Sequence, residues 1–362
     1  MSLFIGPNGA GKTNLLEAIA ILATGASPRG ADCESMVEWN KDGFAVLGAF
    51  EGPSTVERFT LEMKYKNGLS RVIRENGHTP VRLKDLVGRV PLVSFLPEDL
   101  TLLKGEPEQR RRALNLVLLQ VDVTYADALR TYQEALKSRN AALRQIADGQ
   151  IGVDTLDAWD GAIIKAGLVI CEKRNQFIAD FFPFFERVED RVSGRSGEMT
   201  IEYRPSIQGP WDADGAERWK RKLRESRPQE IAVGMTLTGP QRDDIAFLMN
   251  GRPARSCASE GQMRTAAIAF KLAEIPYIEE RRGQKPICLL DDVFSELDAD
   301  RARHLLNELS QTGQCFVTLT GLESWPKENN LPVSIFTIDG NGVRLGKYDD
   351  EAVPGKIAAQ RF

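Results

Sequence analysis

Two stretches of this 362-residue chain have residue types and spacing suited to handling a phosphate chain. Residues 6–13 read G-P-N-G-A-G-K-T, which fits the G-x-x-x-x-G-K-[ST] phosphate loop. Gly6, Gly9 and Gly11, with Pro7, Asn8 and Ala10 between them, let backbone N–H groups converge on phosphate oxygens without side-chain clash. Lys12 is placed to reach the β- and γ-phosphates, and Thr13 to bind Mg²⁺. Residues 286–298 read PICLLDDVFSELD, where four apolar residues, Ile287 to Leu290, end in two carboxylates. Asp291 would hold Mg²⁺ opposite Thr13, directly or through water, and Asp292 would polarise an attacking water. A strand capped by solvated acids has the same pattern, but the phosphate loop in the same chain favours the catalytic reading.

Each stretch needs an element to deliver it. Ser2, Leu3, Phe4 and Ile5 form a short apolar run of the buried-strand kind. From Lys12 the sequence KTNLLEAIAILATG has apolar residues at helical spacing and stops at Gly25. The order is therefore strand, glycine loop, helix, with the helix N-terminus adding a favourable dipole for an anion. The run from Ile287 to Leu290 reads as a second buried strand. A third candidate is residues 259–264, S-E-G-Q-M-R, which open the helical pattern TAAIAFKLAEI. A small hydroxyl and a glycine at a helix start make another anion cradle, although an ordinary N-cap by Ser259 fits the same residues.

Composition is that of a globular protein, 42% hydrophobic and 27% charged. No stretch approaches the ~20 apolar residues of a membrane span, and no signal peptide is visible. The five cysteines, Cys33, Cys171, Cys257, Cys288 and Cys315, lack CxxC spacing and read as reduced thiols of a cytoplasmic protein. The two histidines, His78 and His304, exclude a His-rich metal site. A net charge of −4 argues against a uniformly basic nucleic-acid binder but leaves room for a local basic face.

Residues 44–83 contain four alternating segments, FAVLGAFEG, TVERFTLEMKY, SRVIRENG and TPVRL, which read as antiparallel strands. PLVSFL at 91–96 is a further strand candidate, followed by a helix-loop-helix pattern punctuated by Gly105 and Pro107. Residues 124–147 and 155–192 are long helical patterns, the second expected to kink at Gly161 and Pro183. They suggest an antiparallel arm. Strand patterns return in MTIEYRP and in MTLTGPQRDDIAFLMNGRPA, where Asn250-Gly251 signals a hairpin. The expected division is a discontinuous head, 1–123 and 196–362, with a helical arm at 124–195.

With both phosphate-handling stretches in hand, residues 259–262 look like the ABC signature motif, and the fold expected is an α/β P-loop NTPase of the ABC/SMC-like type. It would have a mixed sheet, an antiparallel β subdomain and an inserted helical arm. GPNGAGKTNLLEAI, FLPEDLTLLKGEPEQRRRAL, TLTGPQRDDIAF with SEGQMRTAAIAFKLAE, and LLDDVFSELD together resemble the RecF family across almost the whole chain. The resemblance implies a cytoplasmic ATPase of recombinational repair that dimerises on ATP and binds DNA. The DNA would be single-stranded, gapped or duplex, chiefly at gaps and junctions, and the partners RecO and RecR in loading RecA, with slow turnover acting as a switch. It implies that Ser259, Gly261 and Gln262 reach the nucleotide of a second copy, that Ser295 and Asp298 form the D-loop, and that Thr320 stands where transporters place a switch histidine.

Three departures stand out. Position 241 is Gln where the family usually has His, and position 260 is Glu where Gln or Gly is usual. Glu260 would repel a γ-phosphate unless it turns outward. Family members also carry a strand pair with a Phe-Arg-Asn segment ahead of the phosphate-loop strand. Its absence here suggests a start codon placed too late. A real truncation would expose a sheet edge, weaken ATP binding and lower solubility.

Two basic clusters are candidates for DNA: Arg110, Arg111 and Arg112, and Lys220, Arg221 and Lys222 within AERWKRKLRESR, with Trp219 as an aromatic platform. The second cluster also reads as a solvated helix face. Arg242 either contacts phosphate or DNA, or pairs with Asp243 or Asp244. A transporter ATPase subunit is disfavoured because 246 residues separate Thr13 from Ser259. A structural SMC protein is disfavoured because an arm helix at 155–192 reaches under ~60 Å. A nucleotide-dependent binding module without hydrolysis differs from the favoured reading only in turnover.

Overall fold

A computed structural model of the protein describes residues 1–52, 58–69, 71–78, 81, 83–86, 88–194, 198–326, 331–339 and 342–345. In chain order the elements are β1 (Ser2–Ile5), α1 (Lys12–Thr24), β2 (Gly43–Glu51), β3 (Arg58–Lys66), β4 (Val72–Glu75) and β5 (Leu92–Phe95). Next come α2 (Pro107–Val121), α3 (Val123–Ala147), α4 (Leu156–Ser193), β6 (Met199–Arg204), α5 (Ala213–Val233), β7 (Asp244–Met249), β8 (Arg252–Pro253) and α6 (Ala254–Cys257). The chain closes with α7 (Glu260–Arg282), β9 (Ile287–Asp291), α8 (Ala299–Ser310), β10 (Cys315–Leu319), β11 (Ser334–Asp339) and β12 (Gly342–Leu345).

The chain divides into two compact units. The first comprises Met1–Thr101, Arg187–Ser196 and Glu260–Phe362. Its main sheet has the order β12-β11-β1-β10-β9-β5. β1 is parallel to both β10 and β11, and β9 is parallel to β10 and β5, while β12 adds an antiparallel edge. Strands this short and this apolar are what a sheet covered on both faces requires. A separate antiparallel sheet, β2-β3-β4, lays Phe59, Leu61, Met63 and Ile73 against Leu16, Ala20 and Leu22 of α1. β2 and β3 alternate in burial as a half-buried strand should. The expected TPVRL strand falls largely on residues 79, 80 and 82, which lie outside the described residues; the three-residue lead-in to β3 lies outside them too.

The second unit comprises Leu102–Glu186 and Gly197–Ser259. This differs from the expected 124–195 arm. α2, α5 and the β6-β7-β8 sheet fold with α3 and with most of α4. Polar chemistry explains the grouping. Arg139 of α3 is fully buried, with Nε 2.8 Å from Asp160 Oδ1 of α4 and Nη2 2.8 Å from Glu230 Oε2 of α5. The Glu230 contact is ionic and lacks hydrogen-bond angles. Such a cluster is worth having only when all its members are present. α4 runs as one helix, with no break at Gly161 or Pro183. Asn250 and Gly251 both take positive φ, 51° and 75°, as the hairpin signal demands.

Candidate nucleotide site

The phosphate loop follows β1, and the carboxylate pair ends β9, with Asp291 its last residue; β10 lies between these two strands. The carboxyl ends of parallel strands are where such sheets bind ligands. Gly9 and Gly11 adopt left-handed φ values of 81° and 92°, which exclude most side chains at both positions. Gly6 is needed for another reason: a Cβ there would lie 2.3 Å from the Ile338 carbonyl oxygen of β11. The loop therefore has no side chains where it curls. Lys12 Nζ donates to the carbonyls of Gly6 at 2.8 Å and Pro7 at 3.0 Å, which centres the ammonium inside the loop.

Thr13 Oγ1 donates to Asp291 Oδ1 at 3.1 Å. This joins the two motifs that sequence reasoning paired. The same Oδ1 accepts a 2.8 Å bond from Thr318 Oγ1, and Thr318 Oγ1 in turn accepts the Asp292 N–H at 3.0 Å. Thr318 is fully buried and stands opposite Asp291 in the β10–β9 register. Thr320 was expected in this region; from β10 it is Thr318 whose hydroxyl reaches Asp291, alongside that of Thr13. Only the strand register could have shown that.

Asp292 has φ 51°, uncommon for a non-glycine residue and a sign of a conformation held by its surroundings. Its Oδ1 is buried and accepts no hydrogen bond among the described residues. Burial pushes its carboxyl up from the ordinary aspartate range, against the opposing pull of Lys12 and of the Ser295 hydroxyl. Ser295 Oγ also donates to the Asp292 carbonyl at 2.6 Å. A cleft of about 400 Å³ opens here, lined by Asn8, Gly9, Gly11, Lys12 and Thr13, and by Asp291 and Asp292. Asn14, Arg29, Pro97 and Glu98 also line it; Arg29 lies outside every motif, and Glu98, within FLPEDL, had no role assigned from the sequence.

The residues fit a divalent cation bound with a phosphate chain. A hydroxyl and a carboxylate 3.1 Å apart are two of the ligands Mg²⁺ takes; water and phosphate oxygens supply the rest. Among the described residues no cluster of three or more His, Cys, Asp or Glu forms an all-protein metal cage, which suits that mode.

Comparison with known proteins agrees with this geometry. The family model described as RecF/RecN/SMC N terminal domain matches residues 1–333. The DNA replication and repair protein RecF of Heliobacterium modesticaldum is 36% identical over 342 residues, covering 93% of this chain and 91% of that protein. The chain belongs to the RecF family. RecF of Bacillus subtilis is 33% identical over 349 residues, covering 95% and 93%. A solved recombination mediator RecF in the RecFOR pathway, described as RecF-ATPrS, superposes with TM-score 0.83 at 31% identity, over 94% of this chain and 91% of that one. A second, RecF-ATP, gives 0.82 at 31%, over 95% and 90%. The fold is thus the P-loop ATPase head of the ABC/SMC-like type.

The other RecF-family motifs fall as follows. Gly261 and Gln262 sit in the first turn of α7, and Ser259 precedes that helix; none of the three lines the cleft. Glu260 turns back along α7, with Oε1 3.4 Å from Arg264 Nη2. Arg264 Nη1 also donates to the Glu296 carbonyl at 3.0 Å. Asp298 serves as N-cap of α8, accepting the Arg301 N–H at 2.9 Å.

The basic clusters need correction. Arg110 is buried, not exposed: Nε and Nη2 grip both oxygens of Asp244 at 2.8 and 3.0 Å, and Nη1 donates to the Leu102 and Gly105 carbonyls at 3.2 and 2.6 Å. All its donors point inward, so it is withdrawn from DNA. Arg111 Nη1 donates to the Asp243 carbonyl at 2.6 Å, and Arg112 is half-buried. Trp219 is fully buried over Gly167, where a Cβ would lie 2.2 Å from the indole, so it is core and not a base platform. Arg221 and Lys222 are exposed and Lys220 is half-exposed, 3.9 Å from Glu217. The GPQRDD acids are structural. Asp243, fully buried, accepts Arg174 Nη1 at 2.9 Å, the Tyr203 hydroxyl and the Ser206 N–H at 2.8 Å. The pairing of Arg242 with either acid is therefore overturned, because other arginines hold both.

Proposed function

We propose that this chain is an ATP-hydrolysing DNA-repair protein that closes into a homodimer on ATP and Mg²⁺ and binds DNA. The observation supporting this reading most strongly is one cleft shared by Lys12, Thr13, Asp291 and Asp292, in a chain 31% identical over 95% of its length to the solved RecF-ATP. Lys12 Nζ exchanges the Gly6 and Pro7 carbonyls for β- and γ-phosphate oxygens, and the α1 N-terminus adds N–H donors. Thr13 and Asp291 hold Mg²⁺, which when bound neutralises charge on the phosphates. Asp292, with an unsatisfied Oδ1 and a carboxyl raised by burial, orients water toward the γ-phosphorus and accepts its proton. Attack breaks the bond to the bridging oxygen, and ADP and phosphate leave.

Ser259, Gly261 and Gln262, with Ser295 and Asp298, close over the nucleotide of the second copy. Glu260, turned toward Arg264, is kept from opposing the incoming phosphate. Turnover is slow and stimulated by DNA. The DNA is gapped or junctional, held in part by Lys220, Arg221 and Lys222 with Arg111 and Arg112. RecO and RecR are the partners, in the cytoplasm. Light scattering with ATP and Mg²⁺ tests the reading. Asp292→Asn should accumulate as dimer and Lys12→Ala should stay monomeric; an Lys12→Ala variant that binds ATP and dimerises like the parent would sink it.

A further inference from the structure

The loop between α5 and β7 is pinned almost residue by residue. Thr236 gives its N–H and its hydroxyl to Asn140 Oδ1, each at 2.8 Å, and Leu237 N–H goes to Glu230 Oε1 at 2.8 Å. Gly239 exchanges two hydrogen bonds with the Ser206 hydroxyl, 2.8 and 2.9 Å. The Pro240 carbonyl accepts Arg174 Nη1 at 2.7 Å. Gln241 accepts the Tyr132 hydroxyl and donates to the Thr236 and Thr238 carbonyls at 3.3 and 3.2 Å. Asp243 and Asp244 are held by Arg174 and Arg110. Two side chains in this loop are turned out, Met235 and Arg242. Arg242 is exposed, and its Nη2 lies 3.2 Å from the Met235 thioether, a weak acceptor.

A second arginine stands at the same place. Arg144 of α3 is exposed, its stem lies over Gly234 and its Nη1 is 3.5 Å from the Gly234 carbonyl. Gly234 and Met235 are adjacent, so Arg144 and Arg242 flank Met235, itself 43% exposed. No acidic residue occurs in the sequence between Glu230 and Asp243. The carboxylates at 230, 243 and 244 are each spent on a buried or nearly buried arginine. In a chain of net charge −4, the acids bracketing this loop are taken up by buried arginines, and two guanidinium groups are presented on a fixed backbone.

We propose that Arg144 and Arg242, spaced by Met235, form a contact for DNA phosphodiesters, additional to the α5 face; this rests on the DNA-binding reading above. The guanidinium fork matches phosphate oxygens, and a rigid loop lowers the entropy lost on contact. The patch has no Trp or Tyr of the kind that anchors a protein partner.

The test measures affinity of the full chain, with non-hydrolysable ATP analogue and Mg²⁺, for a fluorescent gapped duplex across a salt series. Each phosphate contact contributes about 0.9 to the slope of log K against log salt. Arg144→Ala and Arg242→Ala should each flatten that slope by about 0.9, and the double variant by about 1.8, with thermal melting and nucleotide affinity unchanged. Arg242→Lys should keep the slope while losing some affinity. A double variant with the parental slope, whether or not affinity falls, overturns the phosphate contact and leaves the rest of the DNA reading standing. A parent protein that does not bind the duplex at all overturns both.

Discussion

Thr318→Val isolates the side chain that ties the Asp291 carboxylate to the backbone of Asp292. Valine has nearly the same shape, so no cavity opens. It cannot donate to Asp291 Oδ1, now 2.8 Å away, and cannot accept the Asp292 N–H at 3.0 Å. A hydrogen bond to a charged group contributes ~1.5–3 kcal/mol, and an orphaned buried N–H costs ~1–3 kcal/mol. The two losses share one site, so a net destabilisation of about 3 kcal/mol is expected. Asp292 then loses the bond that holds its left-handed backbone, and a carboxylate displaced by about 1 Å from its productive position lowers hydrolysis by as much as ~100-fold. Nucleotide affinity, which rests mainly on Lys12 and the loop, should fall far less. Urea unfolding measures the first effect and single-turnover hydrolysis the second. Thr318→Ser keeps the hydroxyl and should restore both. A Val variant within ~0.5 kcal/mol of the parent, or a Ser variant as impaired as Val, would refute the reasoning.

Asp243→Asn leaves Arg174 buried without its carboxylate, and should cost ~3–5 kcal/mol by chemical denaturation. Glu274, buried on α7, has its carboxyl lifted from 4.5 to about 7 by desolvation, while both its oxygens lie 2.7 Å from Lys271 Nζ. The folded protein keeps this proton when the unfolded chain releases it, so stability falls as pH rises from 4.5 to about 7. Lys271→Met removes the offsetting ammonium, and the fall measured by thermal melting should keep its one-proton slope but extend to higher pH and be larger in total. Gly6→Ala drives a methyl group against the Ile338 carbonyl, and should lower stability by ~1–3 kcal/mol and weaken ATP binding in fluorescence titration.

The nucleotide site was legible where local pattern is enough. The phosphate loop, the α1 stop at Gly25 and the β9 carboxylates lie where glycine spacing and apolar runs place them, because each depends on neighbours in sequence. Thr318 and Arg29 were not legible, since Thr318 meets Asp291 through the β10–β9 register and Arg29 lies outside every motif; Glu98 sits in the FLPEDL stretch, but nothing local assigns it to the cleft. The same limit explains Arg110 and Trp219. Both sit in a charged helical stretch that reads as surface, yet long-range partners, Asp244 and Gly167, draw them inside. MTLTG alternates like a strand, but the Thr236 N–H and hydroxyl go to Asn140 and the Thr236 and Thr238 carbonyls to Gln241, leaving a loop. The division into units differed because α5 carries Glu230, whose buried partner Arg139 is on α3.

β1 lies between two strands that the ribosome makes long after it: Ser2 is registered with Phe316 on one side and Ser334 on the other. At translation rates of about 5–20 residues per second, the phosphate loop must wait on the order of a quarter of a minute to a minute for its neighbours. Over that interval Leu3, Phe4 and Ile5 lack the two parallel neighbours between which they lie in the finished sheet. The two halves of the nucleotide cleft are therefore brought together only after β9 and β10 have been made.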